Sequence, residues 1–150
     1  MSIVKNVCLA TDLSEFSLPA LEVAIDVSLA RHAGLTLLYV HETGAFELPS
    51  GYVENLPSEL DRTYDELNRR LAQLERKARS AGVTRVEKRV VQGPIVDEIV
   101  RVSSDSDYLV LGTHGRTGLE RLVMGSVAQK VMERARCAVV LARPAKQRRE

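Results

Sequence analysis

Four glycines and a serine carry the densest chemistry in this chain. Gly112-Thr113-His114-Gly115-Arg116-Thr117-Gly118 follows the short apolar run 108–111, and Gly125-Ser126-Val127 opens a run with helical spacing through Val131 and Ala135. Glycine lets a backbone take positive φ and approach a ligand with no Cβ in the way. Ser126 stands where an N-cap belongs, with unpaired N–H groups and the positive end of the helix dipole beside it. A strand that hands over to such a loop and then to a helix start is an anion site, and phosphate is its usual occupant. A flexible loop followed by a capped helix is the plainer alternative.

A second candidate group is Asp12, in the polar turn Thr11-Asp12-Leu13-Ser14-Glu15 after an apolar first strand. It could accept a hydrogen bond from a ribose hydroxyl, stand outside the coordination shell of a metal, or simply cap the following helix. His114 lies in the glycine loop with no serine or cysteine at a spacing that suggests a triad. As a lone histidine there it reads as a phosphate donor or an exposed side chain rather than as a base.

Several chemistries are excluded by what these segments lack. There is no G-x-x-x-x-G-K-[ST] pattern for a P-loop and no G-x-S-x-G nucleophile elbow. The first turn, 10–15, holds no glycine, so the dinucleotide fingerprint is missing where it would have to be. A phosphoacceptor receiver would want an aspartate where this chain has Val91-Gln92-Gly93. Cys8 and Cys137 lie apart in apolar runs, without metal-ligand spacing, and read as small buried hydrophobes in a reducing compartment.

The elements that must position these residues alternate regularly. Ile3–Ala10 reads as a strand, with Ser14 or Ser17 as cap of a helix whose face is Leu21, Ile25 and Leu29, closed by Gly34 at its C′ position. Leu35–Val40 reads as a strand buried on both faces. Residues 42–57 carry Gly44, Pro49, Gly51 and Pro57 without any period and read as a long loop, either a lid or a disordered flap. A charged helix capped at Ser58 follows, its stripe running through Leu60, Tyr64, Leu67, Leu71 and Leu74, with Glu66–Arg70 and Glu75–Arg79 as solvated i,i+4 pairs. Then come a polar, edge-like strand over 83–91, a helix after Gly93-Pro94, the strand 108–111, the helix after Gly125, and a last strand, Ala138–Ala142.

The chain of 150 residues therefore reads as one α/β domain, 1–150, with a tail at 145–150: a single doubly wound five-stranded parallel sheet with helices on both faces. Ligands of such sheets sit at the carboxyl edge where strand order reverses. If the first and fourth strands are neighbours there, Asp12 meets the glycine segment. A net charge of +1 gives no general pull toward nucleic acid or anionic membrane. No apolar run approaches the roughly 20 residues needed to span a bilayer, and the expected location is the cytoplasm. The apolar last strand has no protecting Lys or Pro before Arg143; if it lies at an edge, it invites a second copy of the chain.

Gly112-x-x-Gly115-(nine residues)-Gly125-Ser126 resembles the G-2x-G-9x-G-[ST] pattern of the nucleotide-binding branch of the universal stress protein family. Thr11-Asp12-Leu13-Ser14 and Tyr39-Val40-His41 are also similar to that family's segments, and the likeness runs from Ile3 to Pro144. The resemblance implies an adenine nucleotide alpha hydrolase-like fold and an ATP site, with AMP or ADP as alternatives and Mg accompanying the phosphates. It places Gly112, Thr113, His114, Gly115, Arg116, Thr117, Gly118, Gly125, Ser126 and Val127 around phosphates and ribose. It gives Asp12 the ribose or the neighbourhood of the metal, and lines the adenine pocket with the main chain of Ala10 and Val40. Where the family often has proline two residues before the aspartate, this chain has Ala10. The implied role is a nucleotide-dependent stress-response module acting through a homodimer or partner contacts. The alternative is a slow ATPase or phosphotransferase with Arg116 as clamp; no base is evident for it.

Overall fold

The structure is a computed structural model that describes residues 3–42, 56–113 and 124–143. Its strands are β1 (Asn6–Ala10), β2 (Gly34–His41), β3 (Val86–Gln92), β4 (Tyr108–Gly112) and β5 (Ala138–Ala142). They alternate with α1 (Leu18–Arg31), α2 (Leu56–Ala81), α3 (Ile95–Ser103) and α4 (Ser126–Arg134), and a short 3-10 turn, Glu15–Ser17, precedes α1. The five strands form one parallel sheet in the order β3-β2-β1-β4-β5. The order reverses at β1, so β1 and β4 are neighbours and the switch point lies beyond their carboxyl ends.

Two apolar layers flank the sheet. On one side Val7, Leu9, Leu35, Leu37 and Val110 pack with Leu21 and Ile25 of α1 and Leu67 and Leu71 of α2. On the other side Cys8, Leu38, Leu109 and Leu111 pack with Ile99 and Val102 of α3 and Ala128 and Val131 of α4. The alternation of side chains along a strand sends neighbours to opposite layers, which is why β2, buried along 34–40, has no polar face. β3 is an edge, paired with β2 alone among the described residues, and the charges of Glu87, Lys88 and Arg89 suit such a strand.

Several boundaries differ from the sequence reading. α1 ends at Arg31, and His32, not Gly34, takes the left-handed turn, with φ 52°. Gly34 is already in β2, donating to the Lys5 carbonyl, and a Cβ there would meet Asn6 Oδ1 at 3.3 Å. β1 is shorter than expected because residues 3–5 precede the register with β2. α2 starts at Leu56, before Ser58; proline tolerates a first helical turn, where its missing N–H costs nothing. The last two residues of the expected 42–57 loop are thus helical, while 43–55, like the tail 145–150, lie outside the described residues.

Candidate functional site

A cavity of about 680 Å³ opens beyond the carboxyl ends of β1, β2 and β4. That volume lies inside the roughly 300–1,000 Å³ range of small-molecule sites. Of the residues singled out in the sequence, Ala10, Asp12, Val40, Gly112, Thr113, Gly125, Ser126 and Val127 all line it. His114, Gly115, Arg116, Thr117 and Gly118 lie outside the described residues.

Register explains why main chain faces this space. Thr11 N–H donates to the Leu38 carbonyl at 2.9 Å, closing the β1–β2 ladder, whose last paired residues are Ala10 and Leu38. In a parallel strand the peptide groups of alternate residues turn to the same side. Val40, two residues beyond Leu38, therefore turns its N–H and C=O toward the space past the end of β1. On the opposite side of β2, the His41 carbonyl accepts from Gly93 N–H. A planar heterocycle beside Val40 would find one donor and one acceptor, with Leu38, Ile95, Ile99 and Leu111 as apolar walls.

The turn after β1 is a compact knot of hydrogen bonds. Asp12 Oδ1 accepts the Ser14 N–H at 2.9 Å and the Ser14 hydroxyl at 2.6 Å. Leu13 N–H donates to Thr11 Oγ1 at 3.0 Å, and the Ser17 hydroxyl donates to the Ser14 carbonyl at 2.6 Å. Neither Ser14 nor Ser17 caps a helix through its side chain. Asp12 thus caps its own turn rather than α1.

At the other lip, Gly125 rather than Ser126 is the N-cap of α4 and, as a glycine, brings no side-chain cap of its own. Ser126 is the first helical residue because its own N-terminal neighbour already has the extended backbone of a cap, φ −59° and ψ 153°. The first N–H groups of an α-helix have no partner within the helix. Thr113 adds a buried Oγ1 that has no hydrogen-bond partner among the described residues, and a buried hydroxyl of this kind is ordinarily paired.

Beneath the floor, Cys8 is fully buried and its thiol is pushed up to about 12, mostly by desolvation, then by the nearby Cys137, with Arg89 opposing. It is a neutral packing group, not a nucleophile. Cys137 is also raised, chiefly by desolvation. Both cysteines are free.

Sequence reasoning missed the α3 wall, Ile95 and Ile99, and the rim residues His41 and Glu42. Inward apolar residues on a helix look alike whether they cover a core or a cavity. The strand end carrying His41 was visible, and its position one past Val40 was the available signal.

The model of the universal stress protein family matches residues 4–143. The chain belongs to the universal stress protein family. A universal stress protein of Methanocaldococcus jannaschii is 32% identical over 148 residues, covering 97% of this chain and 85% of that protein. The structure of the universal stress protein UspA from Lactobacillus plantarum matches with a TM-score of 0.83 at 22% identity, covering 95% of this chain and all of that one, and shares the fold. A universal stress protein solved in complex with cAMP matches with a TM-score of 0.68 at 25% identity, covering 95% of this chain and 98% of that one. The five-stranded α/β sheet is thus the architecture of the family. Among the described residues, no helix is long and apolar enough to cross a membrane.

Proposed function

We propose that this universal stress protein is a binding module for adenine nucleotides, with ATP as its ligand, acting in the cytoplasmic stress response through dimer or partner contacts. The observation that carries the reading is convergence. Val40 main chain, Asp12 and the N-terminus of α4 line one cavity. The relative solved with cAMP supports an adenine nucleotide as the occupant.

The residues fit such a group. Apolar walls suit the base, Asp12 Oδ2 suits a ribose hydroxyl, and the N–H groups of α4 suit phosphate oxygens. The buried Thr113 hydroxyl, without a partner among the described residues, lines the cavity where polar ligand atoms would come. The glycines of 112–118 and the Arg116 charge would complete the phosphate side. Mg, arriving with the phosphates, would find the Glu42 carboxylate on the rim. When bound, the nucleotide would supply charge and shape to this edge of the sheet rather than undergo efficient chemistry.

Slow hydrolysis is the second reading, because His41 and Glu42 at the rim offer groups that could orient a water. We expect turnover far below the roughly 1–10³ s⁻¹ of ordinary enzymes. A rate above about one per second, lost on changing His114 or Arg116, would replace the binding reading with an enzymatic one.

The homodimer follows from β5, an edge strand whose Val139, Val140 and Leu141 are only partly covered. Pairing with a second copy about a two-fold axis would satisfy the edge isologously. Mass spectrometry of small molecules released from purified, denatured protein tests the nucleotide reading. An adenine nucleotide near one per chain is expected; release of another ligand class would refute it.

A further inference from the structure

We propose that Arg70, on α2, is a positioning residue for the nucleotide site, holding the β1–α1 turn in the shape that presents Asp12. The inference rests on the nucleotide reading above and adds to it a residue far from the glycine pattern.

The geometry starts with strain. Leu13 has φ 62°, in the left-handed region that a leucine adopts only at a cost. Such outliers persist when surrounding contacts over-determine them, and they gather at ligand sites. Inside the turn, Thr11 Oγ1 takes the Leu13 N–H and Asp12 Oδ1 takes the Ser14 N–H. From outside it, the Arg70 guanidinium donates to the Leu13 carbonyl at 2.8 Å, across 57 residues of sequence. A charged donor on a carbonyl is among the stronger hydrogen bonds, and this one grips the peptide between Leu13 and Ser14. Rotating that peptide out of the left-handed arrangement would turn the Ser14 N–H away from Asp12.

Arg70 is free for this work because its helical neighbour is engaged elsewhere: Glu66 pairs with Arg69 at 3.3 Å instead. The same helix reaches the cavity again at the end of β2, where Tyr64 lies against His41 with ring centroids 6.4 Å apart. α2 therefore contacts both strand ends that frame the proposed sugar and base positions.

The test measures ATP and 2′,3′-dideoxy-ATP binding to wild type, Arg70→Ala, Arg70→Lys, Leu13→Gly and Leu13→Gly/Arg70→Ala, with Ser14 amide exchange followed in the ligand-free proteins. Arg70 is exposed, so its removal should leave the fold intact. Arg70→Ala should weaken ATP about three- to tenfold, a size set by one charge-assisted hydrogen bond. It should leave the dideoxynucleotide unchanged and speed exchange at Ser14. Arg70→Lys should recover part of the loss. In the Leu13→Gly background, where the left-handed backbone no longer needs holding, removing Arg70 should matter less. Equal losses for both nucleotides, or no loss for either, would overturn the inference while leaving nucleotide binding standing. A wild type that binds neither nucleotide would sink both.

Discussion

Gly125 donates its amide N–H to the Thr113 carbonyl at 2.7 Å, and a Cβ built on Gly125 would sit 3.2 Å from that same oxygen. The two residues bracket 114–124, so the end of β4 and the start of α4 are clasped across the glycine segment. A separation of 3.2 Å is tighter than ordinary carbon–oxygen contact. Position 125 therefore calls for glycine because of a close approach, not an unusual φ.

Gly125→Val should open that clasp. Overpacking of this kind costs about 1–3 kcal/mol, and the N–H groups at the start of α4 should shift away from any phosphate. We expect a folded protein with lower urea midpoint and at least tenfold weaker ATP binding, about 1.4 kcal/mol. Unchanged affinity by calorimetry would separate the clasp from the site.

Asp107 ties the opposite edge of the sheet. Its Oδ2 accepts the Lys5 N–H at 2.7 Å and the Asn6 N–H at 3.0 Å, which hold its carboxyl below the ordinary range, with Asn6 the larger cause. A depressed folded pKa means stability present above the unfolded value of about 3.9 and lost as pH falls through the folded one. Asp107→Asn should destabilise by about 1 kcal/mol at neutral pH, discounted for solvent exposure. Chemical unfolding of both proteins should show the gap closing below about pH 4. A gap that persists at lower pH would mean the carboxylate charge is not its source.

Cys8 titrates in the other direction. With its thiol pushed up to about 12, stability is complete below the unfolded value near 8.5 and falls as pH rises toward 12. Between about pH 8 and pH 10 the wild type should lose about 1–2 kcal/mol more than Cys8→Ala. The native thiol should also resist an aromatic disulfide reagent until the protein unfolds. Rapid native labelling at Cys8 would contradict its burial.

Val140 lies on the β5 edge, in register with Val110 of β4. Val140→Lys puts a charge into the run that a second copy would pair with. Sedimentation should show a folded monomer from this variant and a dimer from the wild type. A monomeric wild type at tens of micromolar chain would end the dimer proposal.

Much of this arrangement was legible because it depends on local rules. Strands and helices alternate, so the sheet had to be parallel, and Gly112, Gly125 and Asp12 sit where βα turns must fall. The union of Asp12 with the glycine segment depended on β1 and β4 being neighbours, a pairing across about a hundred residues that periodicity does not encode; the register Val7–Tyr108 supplies it. A helix wheel shows Arg70 only as the i,i+4 solvated partner of Glu66. Its bond to Leu13 requires knowing how α2 crosses the β1 turn. His32 displaced Gly34 at the end of α1 for a similar reason, since pairing with β1 claims the glycine for β2.

Calorimetric titration of ATP into wild type and Gly115→Val decides whether the cavity beyond β1 and β4 holds an adenine nucleotide through the glycine pattern, as proposed. Replacing the second glycine of the pattern by a branched residue blocks a close backbone approach. The expected result is saturable binding at one site per chain, weakened at least tenfold, or about 1.4 kcal/mol, in a variant with unchanged circular dichroism. No saturable binding by the wild type, or equal affinity in the two proteins, would contradict it.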